Sequence, residues 1–325
     1  KVWCMTGPVE DQIDYVTDRG FTTIEVREGR TAVIGRLKVS RILPTKRRRT
    51  IGPWCFVDLM HPDDVAEPPP LEIGPHPHIG LSTATWLLTG SALHSDSLGT
   101  EQLIRPGQLN LMTAGHGIAH AELGVETSSV VEGTDTMGVQ MWLAQPQQTR
   151  NGDNGFQHVP ELPRLDFGDS TATVLIGGLA GTTSPALTDH PTVGLDVVVR
   201  ESVELPLQTH FEHGVVPIDR PMLVEDVIVE PGALAIVPVG RMSLRIAVRG
   251  GEGRFMLLGG EPLGEQVQMW WNFVARSRDE LTEAWIDWRD GNEDRFGPVP
   301  SSLERIEAPV PPWVRHTTMG GRALQ

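Results

Sequence analysis

The chain has 325 residues, a length that suits two domains or one large one, and its formal net charge is −15. Apolar residues make up 39% and charged residues 21%, which is typical of a globular chain and excludes global disorder. The acidic balance argues against direct binding to nucleic acid or to an anionic membrane. No apolar run approaches the ~20 residues of a membrane-spanning helix.

Cysteine content and the first residues bear on the compartment. Cys4 and Cys55 are too few for a disulfide framework or a thiolate metal site. Residues 1–20 lack the basic-then-apolar layout of a secretory signal. We therefore expect a reduced, cytoplasmic protein.

The chain is rich in turn-forming residues, with 35 glycines and 26 prolines and no collagen-like period. Val33 to Leu43 alternates apolar with polar residues and predicts one half-buried strand. Trp54 to Leu59 predicts a buried strand. The basic cluster Lys46 to Arg49 between them fits a nucleic-acid contact or a solvated turn, and the acidic charge favours the turn.

Short strand-like runs continue through both halves of the chain. From Gly80 to Trp142 no stretch of 12 residues holds a helical period, and strand-like runs resume after about residue 170. The runs are separated by turn signals, and residues 145–170 resemble a linker. The pattern predicts an all-β fold of sandwich or barrel type.

The two halves also echo each other. Leu103 to Leu111 and Ile228 to Ile236 each lead from an apolar pair through Pro-Gly into an alternating strand, at an offset of 125 residues. The echo predicts a duplicated small β-barrel. We expect an extension at 1–30, barrels at 31–150 and 171–300, a linker region at 151–170, and a Pro-rich surface tail at 301–325.

One helix is predicted, over residues 278–290. Ser277 and Glu280 have the spacing of a capping box. Apolar residues then recur on one face, and Gly291 ends the helix. The residues of that face are Leu281, Ala284, Trp285 and Trp288.

The candidate chemistry lies in two short motifs, His76-x-His78 and His120-x-Glu122. Residues i and i+2 of a strand point to the same face, so each motif can direct two ligands into a barrel. Three imidazoles and one carboxylate suit iron, manganese, copper, nickel or zinc. Four protein ligands would leave a coordination position open for catalysis or substrate binding.

A bland interpretation stays open on spacing alone, because 11 histidines in 325 residues can produce a single His-x-His pair by chance. These histidines would then be surface groups or satisfied core groups. The second motif within the same predicted barrel favours the metal interpretation.

The two motifs belong to a longer series that covers roughly Val33 to Phe296. It comprises Arg48-Arg49-Thr50-Ile51-Gly52, Cys55-Phe56-Val57-Asp58, His76-Pro77-His78-Ile79-Gly80-Leu81, His94-Ser95-Asp96-Ser97-x-Gly99, Pro106-Gly107, Met112-Thr113-Ala114-Gly115-His116-Gly117-Ile118-x-His120-x-Glu122 and Gly259-Gly260-Glu261-Pro262-Leu263-Gly264. This series resembles the pirin family of the cupin superfamily.

The resemblance implies a bicupin, two tandem cupin barrels in one chain, with one metal, most often Fe(II), in the N-terminal barrel. Its ligands would match His76, His78, His120 and Glu122. The C-terminal barrel would be metal-free, since the 125-residue offset places Arg245 and Ala247 at the positions of His120 and Glu122. His210-Phe211-Glu212-His213 is interpreted as a surface turn.

The chain departs from the family pattern at a few positions. Trp86 stands where tyrosine is common, and Gln108 where aspartate is common. His116 stands where arginine is frequent. His116 and His94 are candidates for a role beside the ligands, orienting a ligand or substrate, or for exposed loop positions.

Two functions follow from the resemblance. The first is a non-haem iron dioxygenase, similar to quercetin 2,3-dioxygenase, that acts with O₂ on a flavonol-like or other enol or catechol molecule. Glu122 would be its catalytic base. The alternative is a metal- or redox-dependent regulator that binds a transcription factor or metabolic enzyme, and another cupin activity such as isomerisation stays open. A monomer is expected.

Overall fold

The computed structural model describes residues 17–18, 21–22, 24–34, 37–60, 71–125 and 136–314. These residues form 27 strands and one helix, which confirms the predicted all-β class with one short helix. Across these ranges, no helix is long and apolar enough to cross a membrane.

The strands of the first half run to residue 159. They are β1 (Thr17–Asp18), β2 (Phe21–Thr22), β3 (Glu25–Glu28), β4 (Arg30–Ile34), β5 (Leu37–Leu43), β6 (Trp54–Met60), β7 (Glu72–His78), β8 (Leu81–Thr89), β9 (Ala92–Asp96), β10 (Glu101–Ile104), β11 (Leu109–Thr113), β12 (Ile118–Gly124), β13 (Met137–Ala144) and β14 (Gly155–Val159).

The second half contains the remaining strands and the helix. They are β15 (Arg164–Phe167), β16 (Ser170–Leu179), β17 (Thr182–Thr183), β18 (Thr192–Val199), β19 (Ser202–Pro206), β20 (Glu212–Pro217), β21 (Met222–Val224), β22 (Val227–Val229), β23 (Ala233–Val237), β24 (Ser243–Val248), β25 (Gly253–Gly260), β26 (Gln268–Trp270), β27 (Phe273–Ala275) and α1 (Arg278–Asp290).

Most strands of each half form a pair of antiparallel sheets, and β1-β2 and β26-β27 are separate two-stranded sheets. In the first half a four-stranded sheet, β10-β9-β12-β7, faces a seven-stranded sheet, β14-β11-β8-β13-β6-β5-β4. In the second half a four-stranded sheet, β19-β24-β21-β22, faces β15-β16-β18-β25-β20-β23-β3. The same arrangement occurs twice, as the sequence echo predicts, and Gly107 and Gly232 both adopt positive φ in the repeated Pro-Gly turn.

Local pairing differs from the sequence expectation at three places. The single strand predicted over 33–43 is an antiparallel pair, β4 and β5, with Ile34 opposite Leu37. Alternation of apolar residues cannot show where a chain reverses. Residues 25–28 of the predicted extension join the C-terminal sheet beside β23, and the predicted linker region holds β14, paired with β11, and β15, paired with β16.

The two large sheets pack against each other through a shared apolar core. Trp54 is fully buried in this core and donates its indole N–H towards the carbonyls of Val193 and Gly259, at 3.2 and 3.0 Å. Trp86 donates across the same boundary to Asp196 at 3.0 Å. The core draws on both halves of the chain. The two barrels are therefore joined by buried surface as well as by the chain.

Polar contacts reinforce that boundary. Arg48 is buried and donates to Oε1 of Glu212 at 2.8 Å, while Oε2 accepts the Gly52 N–H at 2.9 Å. Lys46 and Arg47 are exposed as predicted, but the solvated-turn prediction is wrong for Arg48. The surface-turn interpretation of residues 210–213 is likewise wrong for Phe211 and His213, which are buried, and for Glu212, which is partly buried at the start of β20.

The last described residues pack against strand β7, which carries the His76-x-His78 motif. We name residues 268–314 the C-terminal cap; it holds β26, β27, α1 and the start of the Pro-rich tail. Ser277 caps α1, and Gly291 ends it in the left-handed conformation, as predicted. Phe273 pairs with Ile79, and the N–H of Ile306 donates to Pro75 O at 2.9 Å.

Candidate metal centre

The two predicted motifs lie side by side in the four-stranded sheet. Strand β12 pairs with β7 so that His120 stands opposite His76, and with β9 so that Glu122 stands opposite His94. A register shift between His120 and Glu122 interrupts the pairing with β7. Alternation along each strand directs these side chains into the N-terminal barrel, where all of them are buried.

Three of the four predicted ligands form one tight group. The potential ligand atoms of His76, His78 and His120 all lie within 4.8 Å of one another. Nε2 of His78 is 3.1 Å from Nε2 of His120. The ring centroids of His76 and His120 are 4.3 Å apart. The predicted metal-site histidines therefore converge on one small volume.

Backbone carbonyls orient two of these rings. Nδ1 of His76 is 2.9 Å from Gly74 O, and Nδ1 of His78 is 3.0 Å from Asn272 O in the C-terminal cap. A carbonyl oxygen only accepts, so each neutral ring carries its proton on Nδ1 and has a bare lone pair at Nε2. These two imidazoles are prepared to bind through Nε2.

Glu122 belongs to a second group. Its carboxylate lies within 4.8 Å of ligand atoms of His94 and His120, so His120 is common to both groups. Thr85 Oγ1 lies 3.3 Å from Glu122 Oε1 and 2.9 Å from Gln140 Oε1, and its single proton can serve either. The structure thus brings the four predicted ligands into two overlapping groups.

The two candidate supporting histidines lie in different surroundings. His94 is buried, with Nε2 3.0 Å from Asp96 Oδ2 and Nδ1 3.4 Å from His120 Nδ1. His116 is exposed, and its carbonyl accepts a hydrogen bond from Arg295 at 3.1 Å. His94 therefore touches the histidine cluster, whereas His116 faces α1 and the segment that follows it.

Burial sets the charge states of the cluster. It lowers the pKa of His76 to about 4 and holds the pKa of His78 and of His120 well below the ordinary histidine value. Burial raises the pKa of Glu122 above its ordinary value. Neutral imidazoles are the ligand form of histidine, and a carboxylate with a raised pKa is a better proton acceptor.

The donor set fits a first-row transition metal. Ring nitrogens bound to one ion at about 2.0–2.1 Å lie about 3 Å apart when adjacent, and the His78–His120 pair has that spacing. The set is nitrogen and oxygen without thiolate, which suits iron, manganese, nickel, copper or zinc alike. The group could therefore hold a metal whose identity these donors do not single out.

Other polar and aromatic side chains share the barrel interior. Phe56 and Trp142 stack with ring centroids 3.9 Å apart, and Trp142 lies edge-on to His78 at 5.1 Å. Arg41 makes a bidentate pair with Asp58, at 2.8 and 2.7 Å. Two groups beside the cluster were not predicted from the sequence, namely the Asp96 carboxylate next to His94 and the Asn272 carbonyl next to His78. No local sequence pattern marks either contact.

The interior of the C-terminal barrel is different. The residues that β24 directs into its core are Leu244, Ile246 and Val248. Arg245, placed by the 125-residue offset at the position of His120, is exposed, and Ala247 faces the same way. The offset is thus wrong by one residue on this strand, which exchanges the two faces. Aliphatic side chains occupy the places where the first barrel has ligands.

Comparisons with known proteins agree with this architecture. Residues 36–143 match the Pirin family, and residues 194–297 match the Pirin C-terminal cupin domain. The chain is 41% identical over 283 residues to "Putative quercetin 2,3-dioxygenase PA1205" of Pseudomonas aeruginosa, covering 86% of this chain and 87% of that one. A pirin-like protein of Caulobacter vibrioides is 32% identical over 279 residues, covering 82% and 93%.

A solved structure shows the same fold. The crystal structure of quercetin 2,3-dioxygenase from Acinetobacter baumannii superposes with a TM-score of 0.81 at 38% identity, covering 89% of this chain and 96% of that one. The first match runs from β5 into β13 of the first barrel and contains the histidine cluster, and the second runs from β18 through α1. The chain therefore belongs to the pirin family.

Proposed function

We propose that the protein is a metal-dependent dioxygenase that acts on a flavonol-like substrate, or on a related enol or catechol, with O₂. The observation that carries the proposal is the convergence of three buried, neutral histidines beside a buried carboxylate. The names of the relatives from Pseudomonas and Acinetobacter support the substrate class.

The N-terminal barrel, residues 31–150, would hold the metal, and the C-terminal barrel, residues 171–300, would not. His76, His78 and His120 are the proposed nitrogen ligands, and Glu122 is the proposed fourth. We expect Fe(II) as the resident ion. When bound, the ion would supply charge stabilisation for a substrate oxyanion and bring O₂ and substrate together.

The protein's own groups would prepare the substrate. Glu122 would accept the proton of the substrate hydroxyl on a carboxylate oxygen, since it is the carboxylate of the proposed ligand set. Thr85 lies 3.3 Å from that carboxylate and can steady it. Trp142, which stacks on Phe56 and lies edge-on to His78, supplies apolar aromatic surface near the cluster, which suits an aromatic ligand.

The test is O₂ uptake by Fe(II)-reconstituted protein with quercetin. We expect uptake by the wild type, loss of iron and of uptake in His76→Ala, and retained iron with at least about hundredfold slower uptake in Glu122→Gln, because the base is gone. His210→Ala is the matched control, since His210 is exposed in the other barrel.

Absence of uptake in wild-type protein shown to carry about one iron per chain would contradict the dioxygenase proposal with this substrate. Uptake that is unchanged in Glu122→Gln would remove Glu122 from the role of base. A cytoplasmic location, a monomeric state and a regulatory protein partner stay predictions.

A further inference from the structure

His120 differs from the other two histidines in what holds its ring. His76 and His78 each present Nδ1 to a backbone carbonyl, which can only accept a proton. Nδ1 of His120 instead faces Nδ1 of His94, at 3.4 Å. An imidazole nitrogen either donates or accepts, so this pair alone does not decide which nitrogen of His120 is free for a metal.

The contact made by the other ring nitrogen of His94 determines where the hydrogen lies. Its Nε2 is 3.0 Å from Oδ2 of Asp96, a carboxylate oxygen that accepts a proton. A neutral His94 therefore carries its hydrogen on Nε2 and has a bare lone pair on Nδ1. Nδ1 of His120 must then be the donor, and Nε2 of His120 is left with its lone pair directed at the ligand group.

Asp96 is itself held in place. Its Oδ1 accepts the backbone N–H groups of Leu98 and Thr100 at 2.9 and 3.0 Å, which leaves Oδ2 for His94. The ring of Phe156 stacks on His94 with centroids 4.5 Å apart and an interplanar angle of 21°. The carboxylate and the imidazole each have one orientation available.

We propose that Asp96, acting through His94, fixes the tautomer of His120 and so makes its Nε2 the third nitrogen ligand. The inference rests on the proposed metal function. It assigns positioning roles to two residues. Asp96 contacts His94, and His94 contacts the proposed ligand His120. Residues that orient a metal-ligating histidine in this way typically contribute ten- to hundredfold in metal affinity.

Asp96→Asn is the decisive substitution. The two backbone N–H groups keep the amide oxygen at the Oδ1 position, so the amide NH₂ turns to His94 Nε2 and donates to it. His94 must then carry its hydrogen on Nδ1, facing the Nδ1–H of His120. We expect Co²⁺, used as the probe ion, to bind ten- to hundredfold more weakly than to the wild type.

A second variant keeps the proposal testable if Asp96→Asn folds poorly. In His94→Asn the side-chain oxygen can still accept from His120 Nδ1, whereas His94→Leu offers no acceptor. We expect His94→Asn to bind Co²⁺ more tightly than His94→Leu. In the His94→Asn background, the Asp96→Asn effect should shrink to less than about twofold, because no tautomer remains to be switched.

Tautomers can be read without activity. Long-range ¹H–¹⁵N correlation spectra of the Zn²⁺-loaded protein should show Nδ1–H in His120 and Nε2–H in His94, with His94 switched to Nδ1–H in Asp96→Asn. Asp166→Asn, an exposed carboxylate that accepts from Thr171, is the matched control and should change neither readout.

The outcomes separate the two proposals. A wild type that binds no Co²⁺ or Zn²⁺ would overturn the metal site itself. A wild type that binds one ion, with equal affinity in Asp96→Asn or equal affinity in the two His94 variants, would overturn the positioning role alone. Two ions per chain would also overturn it, because His94 Nδ1 would then be a ligand in the second group.

Discussion

At the scale of single residues, His213 is a buried histidine of the second barrel. Its side chain is 1% exposed, and Nε2 has no hydrogen-bond partner among the described residues. Burial lowers the pKa of His213 to about 4. The group is neutral at pH 7 in the folded protein, and it takes no part in the metal site proposed for the other barrel.

This depressed pKa predicts an acid-sensitive stability. Between pH 6.5 and about 4 the unfolded chain binds a proton at His213 and the folded protein does not, so the free energy of unfolding falls as the pH falls through that window. We expect His213→Leu to abolish about 2 kcal/mol of the loss between pH 7 and pH 5. Urea titrations at the two pH values measure it.

The control for this pH effect is the exposed His210→Leu. That variant should keep most of the acid sensitivity of the wild type, because His210 is 62% exposed and its charge affects the pKa of His213 less than burial does. An equal loss of stability between pH 7 and pH 5 in wild type and His213→Leu would contradict the assignment.

At the scale of elements, the C-terminal cap depends on one close backbone approach. A Cβ built on Gly74 would overlap the carbonyl oxygen of Glu304, so this position of β7 has no room for a side chain. Nearby, the N–H of Ile306 donates to Pro75 O at 2.9 Å. The tail is docked on the strand that carries His76 and His78.

Gly74→Ala should therefore loosen the tail. Relief of the overlap requires the backbone near Glu304 to move away, and overpacking of this kind costs about 1–3 kcal/mol. We expect faster amide exchange at Ile306, measured by hydrogen–deuterium exchange with mass spectrometry, while exchange in the C-terminal barrel stays as in the wild type.

Gly155→Ala is the matched substitution, because nothing lies within 4 Å of a Cβ placed there. It should leave exchange at Ile306 unchanged. Exchange at Ile306 that is equally slow in Gly74→Ala and wild type would show that the strand accommodates the methyl group without displacing the tail.

Elements differ in how much of them can be predicted from sequence. Helix α1 was predictable to its ends because the Ser277 cap, the apolar face and Gly291 are all local signals. The His-x-His and His-x-Glu motifs were predictable because strand alternation is local too. The Asn272 carbonyl beside His78 was not, since 194 residues separate the two and only the folded cap joins them.

At the scale of the whole molecule, the two barrels share a core rather than a linker alone. Trp54 spans the boundary with two hydrogen bonds to backbone carbonyls of the other barrel, and a Cβ on Gly194 would lie 3.0 Å from its ring. Glu212 and Arg48 join the same boundary from opposite sides. Neither barrel keeps its large sheet covered without the other.

This arrangement predicts one cooperative unfolding transition. Tryptophan fluorescence reports the N-terminal barrel and the cap, since the sequence has no tryptophan between Trp142 and Trp270, whereas far-ultraviolet circular dichroism reports both barrels. We expect coincident midpoints in urea. Trp54→Phe should lower both midpoints together, by about 1–3 kcal/mol in stability, because two buried carbonyls lose their donor.

Trp313→Phe provides the comparison, because Trp313 lies in the cap and donates to Thr282 rather than across the boundary. Its effect on the dichroism midpoint should be smaller than that of Trp54→Phe. Two resolved transitions in the wild type would contradict a shared cooperative core.

The position of Asn272 also has a consequence for how the protein is made. The ribosome synthesises His76, His78, His120 and Glu122 long before Asn272, whose carbonyl orients His78. A nascent chain that has completed only its first barrel carries every proposed ligand but lacks this part of their support. We expect tight metal binding only after the finished chain has left the ribosome. Chains that contain the C-terminal cap would then bind the ion tightly, and shorter chains would not.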